Sequence, residues 1–212
     1  MVKISAGKCR GRVLATPTDD LVRPTTGRVK EALFSMIAPF VTDAVVLDLF
    51  AGSGNLGLEA LSRGAKRSVF VDNNQKSIAL IRENIKRCGF IDQSDVVFGS
   101  AIQIKTLEIL AVKQPDTNFG TGCFNLVFLD PPYDRGLIQK SLDLLISSQL
   151  LAADTVIVTE EKEHVIVTLP IGWALIQTRR YGESRISIWT NRIPVEPGNG
   201  GWMEEPSSAH QG

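Results

Sequence analysis

Val45-Val46-Leu47-Asp48-Leu49-Phe50-Ala51-Gly52-Ser53-Gly54-Asn55-Leu56-Gly57 decides the fold. Its first six residues are apolar apart from one carboxylate, the pattern of a strand buried on both faces. Gly52, Gly54 and Gly57 then fit G-x-G-x-x-G, in which glycines let the backbone turn tightly and approach a nucleotide-like ligand closely. The spacing is weak evidence alone, but the elements after it give support. A helix is predicted over 56–63, with Gly64 as its stop, and a second strand over 68–71 ends in Asp72. Asp72 comes about 20 residues after the first glycine, the separation expected of an acid that holds ribose hydroxyls. The competing reading of Asp72 is a helix N-terminal acid.

Two ligand classes fit such a unit: a dinucleotide and S-adenosylmethionine. Asp48 separates them. A carboxylate at the strand's end, pointing into the loop, sits badly beside a pyrophosphate but well beside a cationic amino-acid moiety or a sulfonium. Asp130-Pro131-Pro132-Tyr133 adds to this reading. It comes directly after the buried-strand pattern of 124–129, so it stands at a strand's carboxyl end, where open α/β sheets bind ligands. Asp130 can accept a hydrogen bond from an exocyclic amine. The prolines fix the backbone and remove two N–H donors, and Tyr133 can stack on a ring, which together suit a nucleobase. On these four residues alone a tight surface turn is equally consistent. Taken with Asp48 and Asp72, methyl transfer is favoured over a dehydrogenase.

The remainder reads as alternating helices and strands. A helix over 74–86 places Ile78, Ile81 and Ile85 on one face. A third strand covers 96–98, a helix 102–110, another helix 137–150, and a fifth strand 155–159. The runs 174–181 and 184–189 form a hairpin across Gly182-Glu183, making the last strands antiparallel. The expected class is α/β with a doubly wound sheet. Three segments are expected: a basic arm over 1–30, the main domain over 31–192, and a disordered Pro/Gly/Ser/Glu-rich tail over 193–212.

At 212 residues and 43% hydrophobic content, the chain suits one packed domain with appendages. No apolar run approaches the roughly 18 to 20 residues that cross a bilayer, and the start lacks a signal-peptide stretch, so no membrane association and a cytoplasmic location are expected. Cys9, Cys88 and Cys123 are odd in number and widely spaced, which argues against a disulfide framework and a metal site. His164 and His210 read as solvated residues, so no metal and no catalytic histidine are expected. The formal net charge is zero, yet the charges are segregated. Lys3, Lys8, Arg10, Arg12, Arg23, Arg28 and Lys30 face only Asp19 and Asp20 in the first thirty residues, a candidate phosphate-contacting surface. Gly7 and Gly11 bracket a hairpin in which 2–5 pairs with 12–15, placing Lys8 and Arg10 near its tip. For Arg23 and Arg28 the plainer reading is a helix capped by Thr25 or Thr26 and running to about Ile37, with the arginines paired to nearby acids.

On Gly7-Lys8-Cys9-Arg10-Gly11-Arg12, Arg23-Pro24-Thr25-Thr26-Gly27-Arg28-Val29-Lys30-Glu31-Ala32-Leu33-Phe34, the stretch 48–61, Asp130-Pro131-Pro132-Tyr133 and Tyr181-Gly182, in that order, the chain resembles the small bacterial methyltransferases that modify N2 of a guanine in 16S ribosomal RNA. The likeness covers roughly 3–192, and the Arg-Pro-Thr-Thr segment is its most specific part. It implies a Rossmann-like class I methyltransferase fold with a seven-stranded doubly wound sheet and an antiparallel C-terminal hairpin, preceded by an N-terminal β-hairpin. The implied cofactor is S-adenosyl-L-methionine, the implied partner 16S rRNA or the small ribosomal subunit, and a monomer is expected. By position, Asp48, Phe50, Gly52, Gly54, Asp72, Asn73, Ser100 and Ala101 are the implied cofactor contacts. Asp130, Pro131 and Tyr133 are the implied catalytic set, and Lys8, Arg10, Arg12, Arg23 and Arg28 the RNA contacts. Ser100 departs from the Asp or Asn that relatives often place against the adenine amine. Other readings are a DNA adenine-N6 methyltransferase and a non-catalytic RNA-binding module; a protein-glutamine methyltransferase is disfavoured because such enzymes resemble Asn-Pro-Pro-Tyr at this position.

Overall fold

Val45, Val46 and Leu47 put apolar side chains on both faces of a strand, which leaves neither face fit for water, and β1 (Val45–Asp48) is buried throughout as an interior strand of the sheet. The computed structural model describes residues 1–17, 27–103, 105, 106, 108, 122–132 and 136–192. Among these, seven strands form one sheet in the order β3-β2-β1-β4-β5-β7-β6. The others are β2 (Arg67–Asp72), β3 (Ser94–Phe98), β4 (Phe124–Leu129), β5 (Leu151–Lys162), β6 (Ala174–Tyr181) and β7 (Ser184–Thr190). β1 to β5 run parallel, and β7 pairs antiparallel with both β5 and β6, as the hairpin across Gly182-Glu183 predicts. The chain winds outward through β2 and β3, then returns to β4 on the other side of β1. The gap between the ends of β1 and β4 is therefore the topological switch point.

Helices α1 (Gly27–Met36), α2 (Asn55–Ser62), α3 (Gln75–Cys88) and α4 (Leu137–Ser147) cover the two faces. One face buries Phe34, Leu58, Leu61, Phe70, Ile81 and Phe128. The other buries Leu47, Leu49, Val69, Leu129, Ile138 and Leu142. Gly57 lets α2 press onto β2, since a Cβ there would stand 2.4 Å from a ring carbon of Phe70. Two strands are longer than their apolar patterns. β3 begins at Ser94 because Ser94 and Asp95 pair with Ser68 and Val69, and β5 runs on to Lys162 because Glu160 to Lys162 pair with β7. Backbone ladders extend both strands past the point where side-chain pattern stops reporting them. Of the helix expected over 102–110, Lys105, Thr106 and Glu108 are helical. The expected tail over 193–212 lies outside the described residues, as do Arg23 and the capping threonines Thr25 and Thr26. No helix among the described residues is long and apolar enough to cross a membrane.

The N-terminal arm is a single antiparallel bridge, Lys3 to Val13, with Ile4 N–H donating to the Arg12 carbonyl at 3.0 Å and Leu14 N–H to the Val2 carbonyl at 3.0 Å. It is not a separate unit. Ile4 and Leu14 are buried in the same core as Phe34 and Phe70, and the boundary expected at 30/31 falls inside α1. Gly7 lies so close to the end of α2 that a Cβ would meet the Ser62 carbonyl oxygen at 1.8 Å. Lys8 N–H donates to that oxygen at 2.8 Å. The three cysteines are free; burial pushes the Cys88 thiol up to about 11, which makes it a poor nucleophile at neutral pH.

Lys30 corrects the expectation of a phosphate-contacting side chain. It is 1% exposed, and its Nζ lies 2.8 Å from Glu59 Oε2, 2.8 Å from the Lys3 carbonyl oxygen and 2.7 Å from Asn55 Oδ1. Glu59 is fully buried and also accepts from Ser5 N–H at 2.8 Å, Ala6 N–H at 3.1 Å and Arg63 Nε at 2.8 Å. Burial would raise the Glu59 carboxyl, but the hydrogen bond and charge of Lys30 and the Ser5 amide hold it below its usual value. Removing one member of such a buried pair strands the other. Glu59→Ala is therefore expected to cost about 3 to 5 kcal/mol in urea unfolding. Adding Lys30→Met to it should cost less than Lys30→Met does alone, because the partner charge is already gone. Additive losses would show that the two side chains act independently.

Candidate active site

Register alone brings the sequence-predicted carboxylates together. Asp48 pairs with Phe70 on β2 and with Phe128 on β4. Asp72 and Asp130 each come two residues after those partners, so all three acids belong to the same sheet face by strand alternation. Asp72 and Asp130 rise one pleat beyond Asp48 on the strands to either side, which separates their backbones by about 10 Å, two inter-strand spacings. A ligand laid across the end of β1 would meet both.

The glycine loop is built on two carboxylate-to-amide bonds. Gly57 N–H, in the first turn of α2, donates to Asp48 Oδ2 at 3.0 Å, and Gly52 N–H donates to Asp72 Oδ2 at 2.9 Å. In a dinucleotide site, amides of this loop and helix start receive the pyrophosphate. Here acids occupy two of them, and the bound ligand that suits them carries no phosphate. Gly54, at φ 79, turns the chain into α2 in the left-handed region that a side chain would strain. Gly52 has nothing within 4 Å of where its Cβ would be, so its outer surface is open for a close approach.

Asp48 itself lies beneath the loop, 2% exposed, instead of in the open cleft. Burial, opposed by the Gly57 hydrogen bond and reinforced by the nearby Asp72 charge, raises its carboxyl to about 7. Asp72 is half-buried, and its second oxygen accepts from Asn74 N–H at 2.8 Å, at the start of α3. Asn73 is exposed next to it. Ser100 is half-buried after β3, where Gly99 N–H donates to the Asp72 carbonyl at 3.1 Å. Ala101 turns inward and joins the second core, against which Phe50 also packs.

Asp130 is half-buried over a small recess lined by Leu33 of α1, Leu56 of α2, and Val158 and Ile186 of the sheet. Pro131 is buried and Pro132 exposed, beside an apolar slot of about 140 Å³ that runs to the start of α4 and to Val165 and Val167. Tyr133 lies outside the described residues. Lys8, Arg10, Arg12 and Arg28 are all exposed. The first three line a groove of about 660 Å³ with Arg87 of α3, so the expected arm cations do converge, while Arg28 stands apart on α1.

Sequence reasoning missed the buried polar residues behind the site. Asn84 is fully buried; its Oδ1 accepts from Ala15 N–H at 2.7 Å, and its Nδ2 donates to the carbonyls of Ala15 and Ser53, both at 2.9 Å. Lys30 meanwhile joins Lys3 to Asn55. The two strands of the arm are thus tied to the two residues flanking Gly54. A signal was present: Asn84 falls between Ile81 and Ile85 on the apolar face of its helix, and Glu59 sits within Leu56-Gly57-Leu58-Glu59-Ala60-Leu61.

A seven-stranded sheet in this order, with its last strands antiparallel and its acids at the switch point, defines the class I methyltransferase fold. The chain belongs to the family described as "Conserved hypothetical protein 95", whose model matches residues 2–190. It is 36% identical over 196 residues to "Ribosomal RNA small subunit methyltransferase D" of Escherichia coli strain K12, covering 92% of each chain. To the protein of the same description from Haemophilus influenzae it is 33% identical over 193 residues, covering 90% of this chain and 94% of that one. The solved structure of Escherichia coli yhhF superposes with a TM-score of 0.75 at 34% identity, over 90% of this chain and 98% of that one.

The raised Asp48 carboxyl has a definite sign in stability. A group whose folded pKa lies above its unfolded value stabilises fully below the unfolded pKa, and that contribution is lost as pH rises through the folded one. Unfolding free energy of the cofactor-free protein should therefore carry a component that declines between about pH 4 and 7. Asp48→Asn, which keeps an oxygen for Gly57 N–H, should remove that component. Parallel pH profiles for the two proteins in chemical denaturation would contradict a shifted Asp48.

Proposed function

We propose that this protein transfers a methyl group from S-adenosylmethionine to the exocyclic N2 amine of a guanine in 16S ribosomal RNA. The observation that carries the reading is the placement of Asp130-Pro131-Pro132 one pleat beyond Asp48, across the switch point from Asp72. Bound there, S-adenosylmethionine supplies a methyl group on a sulfonium and brings no phosphate, which fits a loop whose Gly52 and Gly57 amides are taken by carboxylates. Asp72 accepts from the ribose hydroxyls, Gly52 and Gly54 admit the ligand closely, and Asp48 holds the loop from beneath. Asn73 and Ser100 border the same cleft, and Phe50 and Ala101 pack behind it with the second core.

An exocyclic guanine amine is a poor nucleophile because its lone pair is delocalised into the ring. Asp130, by accepting one amine hydrogen, helps the nitrogen pyramidalise and stabilises the positive charge that develops on it. Pro131 holds the Asp130 backbone, and Tyr133 is assigned to stack on the base. Holding the amine in line for attack is worth about 7 to 11 kcal/mol in well-oriented systems. The exposed Lys8, Arg10, Arg12 and Arg28, together with Arg23, are assigned to the RNA backbone, in keeping with the names of the relatives. A ribosomal acceptor implies work in the cytoplasm.

The roles separate kinetically. Asp130→Ala should keep cofactor affinity within a few-fold and nearly abolish transfer, whereas Asp72→Ala should chiefly weaken cofactor binding. Calorimetry and transfer of labelled methyl to small subunits, naked rRNA and duplex DNA, with nucleoside digestion of the products, test both. N2-methylguanosine from the RNA is the expected product. N6-methyladenine in the DNA would replace the acceptor assignment.

A further inference from the structure

The arm does not account for all the positive charge on its side of the molecule. Helix α3 buries Ile78, Ile81, Asn84, Ile85 and Cys88. Its opposite, solvent-facing side carries Lys76, Arg82, Lys86 and Arg87, with Glu83 as the one acid among them. In a chain whose formal net charge is zero, this is strong segregation. Lys86 and Arg87 in the last turn complement the helix dipole. That explanation fails for Arg82 in mid-helix and runs backwards for Lys76, a cation in the first turn where the dipole disfavours it. Arg87 pairs with Glu83, but both are exposed, and such a pair contributes little and yields readily to a phosphate.

Position gives the charges a direction. Arg87 lines the same groove as Lys8, Arg10 and Arg12, at one end of α3. Lys76 stands at the other end, four residues past Asp72, with its N–H on Asn74 Oδ1 at 2.8 Å. At 14 residues, α3 spans about 21 Å from the arm to the mouth of the cleft. We propose that the outer face of α3 is a second phosphate-contacting surface, continuous with the arm groove, along which the RNA backbone runs toward the cleft between Asp72 and Asp130. The inference rests on the reading of RNA as acceptor. It enlarges the footprint from the arm alone to the arm plus Lys76, Arg82, Lys86 and Arg87.

The test is the salt dependence of binding to naked small-subunit rRNA, compared among the wild type, the Lys8→Ala/Arg10→Ala protein and the Arg82→Ala/Lys86→Ala protein. Each lost phosphate contact lowers the slope of log K against log salt by about 0.7 to 0.9, so the α3 pair should lower it by about 1.4 to 1.8. S-adenosylmethionine affinity by calorimetry should stay at the wild-type value, and Arg82→Lys/Lys86→Arg should restore the slope. A wild-type slope in the α3 variant, with a reduced one in the arm variant, overturns the α3 surface and leaves the RNA reading standing. Loss of slope in the charge-conserving pair as well would assign the effect to helix structure and overturn it too. A wild-type protein whose RNA binding ignores salt would remove the RNA reading and this surface with it.

Discussion

The buried ion pair of Lys30 and Glu59 is the constraint on which the arrangement of this molecule depends. Neither charge has access to water, so every remaining donor and acceptor around them must be satisfied by protein. The partners come from three places: the arm through Lys3, Ser5 and Ala6, helix α1 through Lys30, and helix α2 through Asn55, Glu59 and Arg63. Satisfying one pair of charges therefore fixes three elements to one another. Asn84 adds a second tie from the other strand of the arm to Ser53. The residues on both sides of Gly54 are held by side chains that also hold the arm.

This joins two regions that sequence numbering separates. The groove built on Lys8, Arg10 and Arg12 is not a loose appendage, because the chain leading into it is hydrogen-bonded to Glu59 and Ser62 of α2 and the chain leaving it, at Ala15, to Asn84 of α3. On the proposed reading, an arm fixed in this way positions an RNA backbone relative to the cleft, which proximity effects in catalysis require. The same packing explains the glycine at position 7, where no side chain fits against the Ser62 carbonyl.

Charge at the cleft has a consistent pattern. Acids point at the loop amides and at the switch point, while a group of exposed cations stands on the arm and on α3. A cleft lined with carboxylates repels phosphate and favours a cationic ligand and an amine; the basic face does the reverse. On the proposed reading, a polynucleotide backbone and the amine to be modified are thereby directed to different parts of one surface. A net charge of zero, taken over the whole chain, describes neither of these two regions.

What the sequence determined by itself was the local grammar: the buried strand into the glycine turn, Asp72 at its nucleotide-site spacing, the antiparallel hairpin across Gly182-Glu183, and Asp130-Pro131-Pro132 at a strand end. Each depends on neighbours within about twenty residues, where periodicity and turn chemistry are strong signals. The tertiary structure alone decided which polar residues are buried and with what. It turned Lys30 from an expected RNA contact into half of a core ion pair, set Asp48 beneath the loop with its carboxyl raised to about 7, and brought Arg87 beside an arm far from it in the chain. Lys30 meets Glu59, and Ala15 meets Asn84, only because the sheet order folds the arm across α2 and α3. Burial and charge pairing are sums over contacts distant in the chain, and no local pattern carries them.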